Sequence, residues 1–125
     1  MTRSILVVIP GRPPSPNRQR VHWRVRHRSD QQWRTEARLT AELALPGDWP
    51  GPLARATLDV VHVVRDRRRR DIDNLAGATK SSLDGMVDAG LLADDSATVL
   101  VSITHRVEHV PGLTETRYTF TEARE

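Results

Sequence analysis

The sequence predicts a single α+β domain over residues 1–125, a mixed β-sheet of about four strands with two helices in the order β-α-β-α-β-β. Three observations lead there. A chain of 125 residues holds one hydrophobic core and little more. Short runs rich in Val, Leu and Ile at 5–9, 57–65 and 99–107, and the aromatic run RYTF at 117–120, are bounded by Pro, Gly or charged clusters, as strands are. Between them lie two longer segments in which apolar residues recur every three or four positions.

Residues 5–9 read as a short buried strand stopped by Pro10 and Gly11. A proline-rich, basic stretch follows and reads as a surface loop through Arg28. Ser29-Asp30 would then cap a first helix running to Leu45, with Trp33, Ala37, Thr40, Ala41 and Ala44 at helical spacing. The run PGDWPGP at 46–52 ends it. The second strand places Leu58, Val60, His62 and Val64 on one face. From Asn74 the pattern is helical again, with Leu75, Thr79, Leu83, Met86 and Val87 on one stripe and Gly90 as the residue that ends it. A third strand alternates Val99, Val101, Ile103 and Val107. A turn at Pro111-Gly112 then leads to the last strand.

Composition narrows the function classes. Hydrophobic residues make up 38% and aromatics 4%, enough for a small core that association with a second copy would enlarge. The net charge is only +3, yet the isoelectric point is about 10.5. Lys80 is the only lysine among 19 basic residues; the rest are arginine. Arginine forks bidentately onto phosphate oxygens, so the composition suits a polyanion, although GC-rich codon usage would raise the total as well. The absence of cysteine excludes disulfides and thiolate metal sites. The run at 5–9 is too short for a signal peptide or a membrane span, so a cytoplasmic protein with no membrane partner is expected.

The stretch RRRRDIDN at 67–74 concentrates the chemistry. Asp71 and Asp73, two apart at the end of an extended segment, can point the same way. Two carboxylates held so close repel unless a cation sits between them, and Mg²⁺ is the hard, oxygen-liganded cation of phosphoryl-transfer sites. Asp94-Asp95, past the next helix, would return a third carboxylate to the same point. A D-x-D in a charged loop is most often a solvated feature. Here it directly follows Arg67, Arg68, Arg69 and Arg70, and Lys80 lies about two helical turns on. Arginines that hold a DNA backbone beside a metal that activates water make chemical sense as a unit.

The segment RDRRRRDIDNLAGATKSSLDGMVDAGLLADDSATV, residues 65–99, resembles the RusA family of Holliday-junction resolvases. The shared elements are basic residues, D-x-D-N-L, a helix carrying K-x-x-x-D, and A-G-x-x-x-D-D. PPSPNR at 13–18 is similar to the family's proline loop after the first strand, and the element order agrees along nearly the whole chain. The resemblance implies a RusA-like fold and a homodimeric, structure-specific endodeoxyribonuclease of phage or prophage type. Such an enzyme resolves four-way junctions by paired symmetric nicks, with 5′-phosphate and 3′-hydroxyl ends, in DNA recombination and repair. It implies Mg²⁺ as cofactor, with Mn²⁺ as a substitute and no small-molecule cofactor, in a bacterial or phage-infected cell. Asp71, Asp73 and Asp95 match the metal-binding carboxylates and Lys80 the catalytic lysine. Ser15, Pro16, Asn17 and Arg18, together with Arg67, Arg68, Arg69, Arg70 and Asn74, match DNA-contacting segments. The lysine stands three residues later here than in the enterobacterial form, with an insertion near Ala76–Ala78. Gly77 is its ungapped counterpart, and Lys80 is favoured as the chain's only lysine.

Other residues weigh less. His22, His27, His62, His105 and His109 are scattered over strands and loops; His105 and His109 stand at i, i+4 but across a strand end, where they share no helix face, and His62 is expected half-buried. Trp33 and Trp49 read as packing residues, whereas Trp23 in the basic stretch stays open for DNA. Asp84 and Lys80 form an i, i+4 pair, either an ordinary salt bridge or a device that orients Lys80. Two alternatives stand beside junction resolution: cleavage of other branched DNA such as forks and flaps, and non-catalytic DNA binding through the arginines alone.

Overall fold

A computed structural model describes residues 2–13 and 23–124. The chain runs β1 (Ser4–Pro10), α1 (Trp23–Ala44), β2 (Ala56–Val64), α2 (Ile72–Gly77), α3 (Lys80–Asp88), β3 (Leu100–His109) and β4 (Glu115–Glu122). This is the expected β-α-β-α-β-β order in one small α+β domain, with the second helical segment broken in two at Ala78-Thr79. The four strands form one mixed sheet in the order β1-β4-β2-β3. β4 lies antiparallel to both β1 and β2, and β3 runs parallel to β2 on the outside.

Alternation decides which face of the sheet is covered. Ile5, Val7 and Ile9 of β1, Leu58 and Val60 of β2, and Tyr118 and Phe120 of β4 point to one side and are buried. They pack on Ala37 and Ala41 of α1 and Leu83 and Met86 of α3. Each large apolar side chain removed from water in this way contributes on the order of 1.5–3 kcal/mol. The opposite face is more polar: Thr104 donates a hydrogen bond to Asp59, and Arg117 pairs with Glu115 at 2.6 Å.

The first helix begins six residues before the expected Ser29-Asp30 cap, so residues 23–28 are helical rather than loop. No Pro or Gly interrupts the chain between Asn17 and Leu45, and Arg and Gln favour helix, so a Ser-Asp pair costs the helix too little to start it late. The helix stops where Pro46 forbids continuation. Trp33 packs against the core and donates its indole N–H to Ser82 of α3. Trp49 also packs there, with the Arg3 guanidinium 4.5 Å above its ring.

α3 ends as expected at Gly90. Leu91 N–H bonds the Met86 carbonyl and Gly90 N–H that of Val87, a Schellman motif that needs the positive φ of +80° at Gly90. Leu91 and Met86, joined by this motif, are both fully buried. Gly85 serves differently. A Cβ there would lie 2.3 Å from the Arg34 carbonyl oxygen and 2.8 Å from Ala37 Cβ, so a bare backbone lets α3 touch α1.

β3 departs from its expected pattern. A register shift opposite Ala56/Thr57 turns Leu100 into the core, while Val101, Ile103 and Val107 remain 38–45% exposed. No described strand pairs with the outer edge of β3. His62 is fully buried rather than half-buried, its ring stacked on His105 with Nε2 3.0 Å from His105 Nδ1. Burial first, then His105 and Arg12, push His62 down from 6.5 to about 4.

Two outcomes follow. Gly85→Ala should cost about 1–3 kcal/mol by chemical denaturation, because α1 backbone blocks the methyl group. Gly47→Ala, with nothing within 4 Å, should stay within about 0.5 kcal/mol. His62 takes up a proton in the unfolded chain below 6.5 but in the fold only near 4, so stability falls as pH drops across that window. The loss should approach about 3 kcal/mol, and a urea series from pH 7 to 4 should show it flattened in His62→Leu.

Candidate active site

The site gathers at the C-terminal end of β2 because two neighbouring strands end there. β1 stops at Gly11, whose φ of +83° redirects the chain. Its N–H bonds the Thr114 carbonyl at 2.9 Å, and its own carbonyl accepts from the Thr116 hydroxyl at 3.1 Å. These two bonds set Arg12 beside the loop that follows β2. Arg12, Pro13, Arg69, Arg70, Asp71 and Asn74 then line a concave surface of about 320 Å³ floored by Leu75 and Ala78.

The arginine run is not uniform. Arg67, Arg68 and Arg69 are exposed, but Arg70 folds inward and only 14% of its side chain reaches solvent. Its guanidinium holds Asp66 at 2.8 Å and the carbonyls of Asp66 and Arg68 at 3.2 and 2.8 Å. The Arg68 N–H closes the turn onto the same Asp66 carboxylate at 3.0 Å. That backbone bond, and after it Arg70, keeps the Asp66 carboxyl below the usual carboxylate range. Of the four arginines expected at DNA, one therefore organises the loop that presents the other three. Sequence reasoning missed Asp66, although an acid four residues before an arginine at the end of a strand is a readable signal.

The D-x-D pair straddles a helix start rather than ending a strand. Asp71 is the extended N-cap residue of α2, with φ −88° and ψ 124°, and Asp73 sits in the first turn. An aspartate at an N-cap normally accepts from the N–H two or three residues on. The Asp71 side chain does not, which leaves an exposed carboxylate on the wall of the concavity. Asp73 is exposed as well.

Asp95 meets Lys80, and no described contact brings it to Asp71 and Asp73, where the third carboxylate is expected. Leu53 bonds Leu91 and Ala93 on one side of its loop, and Ser96 accepts from Val99 and Leu100 on the other. The loop so anchored brings Asp95 onto the Lys80 ammonium, which also meets Asp84 at 3.0 Å. Asp95 and then Asp84 raise Lys80, and Lys80 in turn lowers Asp95. Asp84 thus pairs with Lys80, as both the salt-bridge and the orienting readings of that pair require. No described hydrogen bond joins Asp71 or Asp73 to the Lys80–Asp95 pair. Among the described residues, no group of three or more His, Asp and Glu side chains is assembled to hold a metal ion.

Ser15, Pro16, Asn17 and Arg18 lie outside the described residues. Trp23 opens α1 instead of lying in a loop. Among the described residues, no helix is long and apolar enough to cross a membrane.

Asp66→Ala should release the turn at 66–70. The protection factor of the Arg68 amide, its exchange rate corrected for the intrinsic pH dependence, should fall in the variant and, in the native chain, as Asp66 is protonated at low pH. That direction follows from a lowered pKa, whose contribution is present above the unfolded value and lost as the group protonates. Proton-exchange NMR across pH 6 to 3 checks both. Neither a family model nor a curated protein matches this chain, so its functional reading rests on these residues and on the resemblance of residues 65–99.

Proposed function

We propose that the chain is a Mg²⁺-dependent endodeoxyribonuclease for branched DNA, with the four-way junction as substrate and recombination and repair as its setting. The observation that carries this reading is one concave surface that puts an uncommitted carboxylate, Asp71, beside Arg12, Arg69 and Asn74. An anionic substrate is drawn by the arginines, while a bare carboxylate beside it makes sense when a cation lies between the two.

The donor types suit such an ion, although among the described residues no three of them are assembled to hold it. Asp71, Asp73 and Asp95 offer oxygen alone, the ligand type that Mg²⁺ takes, with Mn²⁺ as substitute. When bound, the ion supplies Lewis acidity toward phosphate oxygens and lowers the pKa of water. Arg67, Arg68 and Arg69 bind the backbone, and Asn74 lines the same wall. Lys80, aimed by Asp84 and Asp95, offers a positive charge for the phosphate oxygens as charge builds on them. Paired nicks in opposed strands need two sites, so the active species is a homodimer. The outer edge of β3, which pairs with no described strand and carries exposed Val101, Ile103 and Val107, supports association. The setting is the cytoplasm of a bacterial or phage-infected cell.

A second reading, DNA binding without cleavage, is favoured by the engagement of Asp95 with Lys80. The experiment is cleavage of a synthetic mobile junction in Mg²⁺, Ca²⁺ or EDTA. Symmetric nicks in Mg²⁺ alone are expected, falling by about 100-fold or more in Asp71→Asn. Binding that ignores chelation, with no cleavage in any condition, would leave the second reading in place. Nicks on forks or flaps at rates equal to the junction would widen the substrate to branched DNA in general.

A further inference from the structure

Behind the wall formed by Arg12 and Arg70 lies a second hollow of about 400 Å³. Arg65, Arg68 and Thr114 line its far side. Its charge is one-sided. The acid within it, Asp66, is already bonded to the Arg68 amide and the Arg70 guanidinium. Arg12 and Arg70 belong to both hollows, so a chain lying across that ridge meets one depression and then the other.

We propose that this second hollow is a phosphate subsite, which takes a backbone phosphate adjacent to the one held at Asp71 and Asn74. The inference rests on the nuclease reading and adds Arg65 and Thr114 to the residues that meet DNA, with Arg12 shared between the two hollows. Arginine forks suit a phosphodiester, which offers two unesterified oxygens to planar donors. The hollow is open at the surface and shares Arg12 and Arg70 with the first, so a polymer can cross from one to the other. The backbone bond from Gly11 to Thr114 fixes the far wall before any ligand arrives, so little ordering is required on binding.

Fluorescence anisotropy with a labelled four-way junction in Ca²⁺ tests this, with salt varied. The variants are Arg12→Ala/Arg65→Ala, its counterpart Arg12→Lys/Arg65→Lys, and Arg65→Ala alone, which removes an exposed side chain at the strand end. One phosphate lost should make the log–log salt dependence of affinity shallower by about 0.9 in the double alanine variant. The lysine pair, which keeps the charges, should restore most of that slope. Arg65→Ala should weaken binding in the same direction with its melting temperature unchanged. If the native chain binds the junction and the alanine variants match it in affinity and slope, the subsite is wrong while the nuclease reading stands. If the native chain binds no DNA, both fall together.

Discussion

The placement of β4 between β1 and β2 is the constraint on which everything else depends. The last strand in sequence is central in the sheet, and its Tyr118 and Phe120 sit fully buried between residues of the first and second strands. β1 and β2 do not pair with each other; each is held only through β4 on that side. The two segments that matter most, the turn after β1 with Arg12 and the arginine loop after β2, are therefore neighbours by courtesy of the C-terminal strand. Thr114 and Thr116, at its start, hold Gly11 directly. The register Ile9↔Thr116 and His62↔Thr116 aligns the two strand ends to the same level.

Charge at that level is organised by a few internal pairs rather than by the total. Asp66 gathers Arg70 and closes the loop, and this leaves Arg67, Arg68 and Arg69 to face outward. Across α2, Lys80 is held between Asp84 and Asp95. Such exposed pairs contribute little to stability, since water and salt screen them. Their effect is positional: they choose which cations are presented and which are spent. A chain with a net charge of only +3 can in this way expose a basic surface without repelling itself.

Much of this was legible in the sequence, for physical reasons. Strands with one buried face print a period of two, and β2 shows it from Ala56 to Val60, beyond which Val61 and Val63 are buried as well. The stripe Leu75, Thr79, Leu83 and Met86 printed the helical period across α2 and α3 even though Ala78-Thr79 breaks the helix. What failed was local chemistry read without its tertiary setting. Ser29-Asp30 has the composition of a cap, yet nothing upstream prevents the helix from starting earlier. Val101, Ile103 and Val107 alternate like core residues, but a register shift and an edge position leave them exposed. The D-x-D pair was placed at a strand end when Asp71 begins a helix. Arg12 and Arg65 were overlooked because their importance lies in the pairing of distant strands, which no spacing along the chain reveals. The loop before β3 does bring Asp95 back toward α3, but onto Lys80, a pairing that no spacing along the chain foretold.

The arrest of Lys80 between two carboxylates has a practical corollary. As the only lysine in the chain, with 67% of its side chain exposed, it is a single address for amine-selective reagents apart from an α-amino group. Acylation requires the neutral amine, and Asp95 and Asp84 both disfavour that form. The rate of labelling at this one position therefore reads how firmly Asp95 holds it. Any ligand that draws Asp95 away changes that rate, which gives the molecule a built-in chemical reporter where its expected chemistry resides.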